Sequence, residues 1–122
     1  MKYKINNEGR VVALKDFADI EKGEIGGFIE SDYNLSQVDN AWVSGDAWVS
    51  GDAQVSGNAK VSGDAQVSGD AQVSGDAQVS GYAQVYGNAK VSGDAQVSGD
   101  AWVYGNAWVY GNAQVYGESK LN

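Results

Sequence analysis

A hydroxyl nucleophile needs a base within reach. This chain of 122 residues repeats serine at Ser44, Ser50, Ser56 and on through further six-residue steps, yet it contains no histidine. With no imidazole to activate them, those hydroxyls read as solvated groups on the outside of a repeat. Cysteine is absent as well, which removes thiolate chemistry, disulfides and sulfur ligands and fits a reducing compartment. Aspartate or asparagine follows most of these serines by two positions and offers oxygen donors. A corner of two residues converges too few of them for the roughly six to eight ligands that calcium takes, and the unit differs from the nonapeptide calcium repeats. Gly23-Glu24-Ile25-Gly26-Gly27 has the wrong spacing for a phosphate loop or a dinucleotide fingerprint. The residues therefore predict no catalytic centre, no cofactor and no metal, and point to a binding or structural protein rather than an enzyme.

The elements that position these side chains come from one short unit. From Ala41 the chain reads A-x-V-[SY]-G-[DNEY] thirteen times, with alanine at every sixth residue from 41 to 113 and valine at every sixth from 43 to 115. Alanine and valine are two apart, so they point to the same side of a strand, while the residue between them and the one after valine point to the other. Gly-Asp or Gly-Asn then follows, residue types that tolerate the backbone of a tight corner. A strand of four and a corner of two, repeated without change of length, predicts an all-β solenoid. Three sides close a triangular coil of 18 residues, and each strand pairs in parallel with the one a coil further on, about 4.8 Å away. Small side chains stacked in register replace bulk, in keeping with 17 glycines and no proline.

The unit resembles the hexapeptide repeat of left-handed parallel β-helices, in which an aliphatic residue is followed four positions later by a small one, here Val43 then Ala47 and Val49 then Ala53. The segment from Gly26-Gly27-Phe28-Ile29-Glu30-Ser31 through Asn34-Leu35-Ser36 to Asn40-Ala41-Trp42-Val43 is similar to the head of uncharacterised hexapeptide-repeat proteins of bacteria and their phages. The resemblance implies a left-handed winding. It also implies a contrast: many such helices are acyltransferases that use a histidine as general base and bind coenzyme A, and this chain lacks that histidine.

Residues 1–34 read as an N-terminal cap and residues 35–122 as the β-helix. Lys2 to Ile5 and Arg10 to Leu14 flank Asn6-Asn7-Glu8-Gly9 and suggest a hairpin. Phe17, Ile20, Ile25, Phe28 and Ile29 supply a lid of large apolar residues over the first coil, on which Trp42 and Trp48 are expected to pack. Ser119 and Leu121 keep the inward register at the other end, where no lid is evident. No apolar run is long enough to span a membrane and no signal-type stretch follows Met1, so the expectation is a soluble, cytoplasmic protein.

Stacking at intervals of 18 turns the corners into columns. One carries Asp46, Asp64, Tyr82, Asp100 and Glu118; the next Asp52, Asp70, Asn88 and Asn106; the third Asn58, Asp76, Asp94 and Asn112. With a formal charge of −8, the surface repels nucleic acid and anionic membranes and suits a basic protein partner. Acidic ridges along a rod would also imitate a phosphate backbone, so the most concrete expectation is a decoy that blocks a nucleic-acid-binding protein. A purely structural or assembly module is the alternative. The last third of the chain gathers Tyr82, Tyr86, Trp102, Tyr104, Trp108, Tyr110 and Tyr116 on outward positions, a cluster that marks a contact surface. A symmetric homodimer joined through the C-terminal coils would bury it.

Overall fold

The computed structural model describes residues 1–122. Tyr3–Ile5 (β1) and Arg10–Ala13 (β2) form an antiparallel hairpin with Tyr3 opposite Ala13. Its turn is held by the Asn6 side chain, whose Oδ1 accepts the N–H groups of Glu8 at 2.9 Å and Arg10 at 3.0 Å. Ile25–Ile29 (β3) runs antiparallel to β2 on one side and parallel to the solenoid on the other, with Phe28 opposite Trp48 and Ile29 opposite Val49. Parallel pairing thus begins before the repeats do.

Two-residue strands then follow at six-residue intervals, from β4 (Trp42–Val43) to β17 (Lys120–Leu121). They sort into three sheets of eight, five and four strands, the largest including the cap hairpin and β3. Within the repeats every pairing joins residues 18 apart, as in Val43 with Val61 and Val67 with Val85. The fold is an all-β parallel solenoid of 18-residue coils. Repeat alanines and valines are fully buried from Ala41 to Val103 and form one continuous core with Leu35, Ile29 and Tyr3.

The strands are shorter than the four residues expected from the alternation. At each corner the alanine N–H bonds to the carbonyl three residues earlier, as in Ala65 to Ser62 at 3.3 Å. The turn claims the alanine N–H and the serine carbonyl, so alanine and serine each keep one backbone group for the ladder and the regular strand narrows to the residue before valine and valine itself. The lid also differs in one place. Ile20 and Ile29 are buried and Phe17 packs against the core, whereas Ile25 is exposed because it opens β3 on the outer face.

Why the first coil needs this cap follows from the direction of the ladder. In the regular coils, carbonyls at the alanine, valine and glycine positions accept N–H groups from the coil before, as in Gln66 to Ala83 at 2.9 Å and Asp70 to Gly87 at 2.8 Å. The first coil has no such predecessor, and unpaired buried carbonyls are costly. The cap supplies donors one by one. Backbone N–H groups of Phe28 and Glu30 reach Ala47 and Val49, and Asn34 Nδ2 reaches the carbonyls of Gly51 at 3.1 Å and Ala53 at 2.8 Å. Arg10 Nη1 reaches Gly45 at 2.9 Å, and Lys2 Nζ takes Asp39 and Ala41 at 2.8 and 2.7 Å. Gly26 and Gly27 let β3 lie this close, since a methyl group at Gly27 would stand 2.7 Å from the Ala47 carbonyl oxygen.

Candidate functional site

Each corner fixes its acidic residue through the backbone. The glycine takes a positive φ, 65° at Gly63, and the next N–H bonds to the glycine carbonyl of the following coil, as in Asp64 to Gly81 at 2.8 Å. The side chain then has nowhere to go but outward. Asp52, Asp64, Asp70, Asp94, Asp100 and Glu118 are exposed and make no side-chain hydrogen bond or ion pair within the chain. Asp46 and Asp76 are different. Arg10 Nη2 lies 2.8 Å from Asp46 Oδ1, and Asn58 Nδ2 donates to Asp76 Oδ1 at 3.0 Å. The acidic residues lie on three separate edges, and Tyr82, Asn88 and Asn106 interrupt two of them.

The structure brings together three of the seven aromatic residues. Tyr86 and Tyr104, one coil apart, stack with ring centroids 5.3 Å apart and planes 9° from parallel. Trp102 meets Tyr86 edge-on at 6.3 Å, Lys120 Nζ sits 4.9 Å over the Trp102 ring, and exposed Tyr82 stands at the corner of the same face. Trp108 and Tyr110 lie on the adjacent four-stranded sheet, with Lys90 Nζ 5.0 Å over Trp108, and Tyr116 follows β16 (Gln114–Val115) on the five-stranded sheet. Trp108, Tyr110, Val115 and Leu121 line an open hollow of about 350 Å³ at the last coil. At the other end Trp48 stacks on Phe28 at 4.9 Å and Trp42 meets Phe17 edge-on at 5.4 Å.

A groove of about 290 Å³ between the cap and the five-stranded sheet was not singled out by the sequence. Asp19, Ile20 and Glu24 line it from the cap, and Trp42, Lys60 and Gln78 from the sheet. Asp19 is carried on a tight turn closed by two bonds between Phe17 and Ile20, with Ala18 at φ 47°. Lys60 Nζ lies 3.4 Å from each Asp19 carboxylate oxygen across 41 residues of chain. Trp42 is only 2% exposed, and its Nε1–H is the one buried side-chain polar group without a partner. The readable signal was Lys60, which interrupts a column otherwise made of glutamine above Trp42.

Two groups in the cap titrate away from their ordinary values. Burial lowers Lys2 to about 8, an effect partly opposed by Asp39 and assisted by Lys15. Burial, helped by the charge of Asp32, raises Tyr3, whose hydroxyl donates to the Leu35 carbonyl and has the Asp32 carbonyl 3.2 Å away.

Five segments, residues 53–69, 65–81, 83–99, 95–111 and 101–117, match the family model of the YdcK beta solenoid repeat and together span more than half of the chain. The chain belongs to that family. Each match begins at a repeat alanine, and successive starts differ by multiples of six, as expected where the three sides of a coil are interchangeable. No curated protein matches the chain. No helix is long and apolar enough to cross a membrane.

Proposed function

We propose that this solenoid is a non-catalytic binding rod whose corner carboxylates engage a basic protein surface. In its most concrete form it occupies the nucleic-acid-binding groove of such a protein in place of the phosphate backbone. One observation carries the reading. Asp52, Asp64, Asp70, Asp94 and Asp100 are exposed, free of side-chain partners, and mounted on turns whose backbone bonds to the next coil are 2.8 to 2.9 Å long. Charges held this way are pre-organised, so binding spends little conformational entropy on ordering them. Their field repels nucleic acid itself and anionic membranes. The exposed Trp108 and Tyr110 beside the open hollow favour a second contact, self-association through the C-terminal coils.

The test uses two variants. The wild-type protein is expected to displace duplex DNA from a basic DNA-binding protein, with affinity that falls steeply as salt is raised. A variant carrying Asp52→Asn, Asp64→Asn, Asp70→Asn and Asp100→Asn is expected to stay folded and lose that displacement. No displacement at low salt, or undiminished displacement by the variant, refutes the acidic-surface reading. Trp102→Ser with Trp108→Ser is expected to sediment as a folded monomer where the wild type is a dimer; equal masses refute self-association through these residues.

A further inference from the structure

The groove under the cap has a composition that the ridges lack. Its two carboxylates differ in their engagement: Asp19 is held by Lys60, while Glu24 touches no cation and only receives the Glu21 N–H at 3.4 Å. Ile20 and Trp42 give it an apolar wall, Gln78 adds an amide, and Trp42 Nε1–H is buried without an acceptor. A ligand that fits this lining brings a delocalised cation for the carboxylates and an aliphatic stem for the apolar wall. An arginine side chain carries both, and its planar guanidinium suits carboxylate partners better than an ammonium does. The volume of about 290 Å³ is enough for one such side chain.

We infer that this groove is an anchor for one arginine side chain of the basic partner, with Asp19 and Glu24 as its carboxylates and Trp42 as its wall. The inference rests on the binding function proposed above and adds a single specific position to it. Lys60 then acts as an internal competitor. It occupies Asp19 in the free protein at 3.4 Å, with both side chains substantially exposed, a geometry in which an ion pair is weak and readily exchanged. The tight turn at Phe17–Ile20 keeps Asp19 over the groove when Lys60 leaves it.

The probe is N-acetyl-arginine methylamide, titrated into the full chain while the indole N–H signals are followed by NMR, with Trp42 identified by the signal lost in Trp42→Phe. A saturable shift of the Trp42 signal is expected, and none with the uncharged citrulline analogue. Asp19→Asn and Glu24→Gln are each expected to weaken binding several-fold, and Lys60→Gln to strengthen it several-fold by freeing Asp19. That gain distinguishes an arginine site from a merely structural ion pair. No saturable shift, equal binding of citrulline, or weaker binding in Lys60→Gln overturns the inference. The asparagine variant of the corner residues separates the two proposals. It is expected to keep the arginine probe at wild-type affinity while losing DNA displacement, a result that faults neither; in the wild type, DNA displacement without saturable binding of the probe faults only the groove.

Discussion

Lys2 is an ammonium 1% exposed to solvent, and it survives there because it closes the open carbonyls of the first coil. Its surroundings are the Asp39 carboxylate at 3.9 Å, Lys15, and the Phe17 ring at 4.8 Å from Nζ. Burial outweighs the attraction to Asp39, so the folded value of about 8 lies below the ordinary 10.5. Between those values the unfolded chain binds the extra proton, and stability rises with pH. Tyr3 acts in the opposite sense: its raised value means stability is present below its ordinary 10.0 and is lost as pH climbs above it. The urea midpoint is therefore expected to rise from about pH 8 toward pH 10 in the wild type and to lose that rise in Lys2→Met. A wild-type midpoint that falls over this window contradicts the burial of a charged Lys2. Nothing in the sequence around Lys2 announces this role, because its acceptors lie 37 and 39 residues away and outside any period.

At the scale of the element, the corner decides whether coils can stack. Gly75 and Gly111 share nearly the same backbone, φ 66° and 64°, but their surroundings differ. A methyl group on Gly75 would stand 2.8 Å from the Gly93 nitrogen of the next coil, whereas nothing lies within 4 Å of one on Gly111. Gly111→Ala isolates the conformational cost, about 1–2 kcal/mol for an L-residue in this region. Gly75→Ala adds the displacement of a neighbouring coil and is expected to lose more in urea unfolding; the reverse order would show that coils do not stack glycine on glycine. The glycine corner, the inward alanine and valine and the 18-residue pairing were all legible, because thirteen copies repeat them in one register. The two-residue ladder was not, since the alanine N–H has a choice of partners that pattern alone leaves open. The groove was not legible either. Asp19 and Lys60 meet across 41 residues, and the Ala18 turn that aims Asp19 carries no glycine to mark it.

For the whole molecule, a solenoid whose repeats turn only alanine and valine inward has two kinds of register, and they differ in what depends on them. The first is the alternation along a strand. Shifting it by one residue turns each buried valine to solvent and brings a glutamine or lysine inward. The second is the position around the coil, and here the core imposes no choice, because all three sides present the same alanine and valine pair. Contacts run only to the coil before and the coil after. Deleting residues 71–88, one full coil, is thus expected to leave a folded rod in which Val67 pairs with Val103 in place of Val85. Deleting residues 71–76, one side, is expected to fold as well, while rotating every downstream outward residue to the next face and parting the acidic columns above the cut from those below. Deleting Gln72 alone is expected to abolish the cooperative transition, because it puts the alternation out of phase with both neighbouring coils. Circular dichroism melts on the three deletions check this. A single-residue deletion that melts like the wild type, or a six-residue deletion that does not fold, would mean that the sides of the coil are held by something other than their shared inward pair.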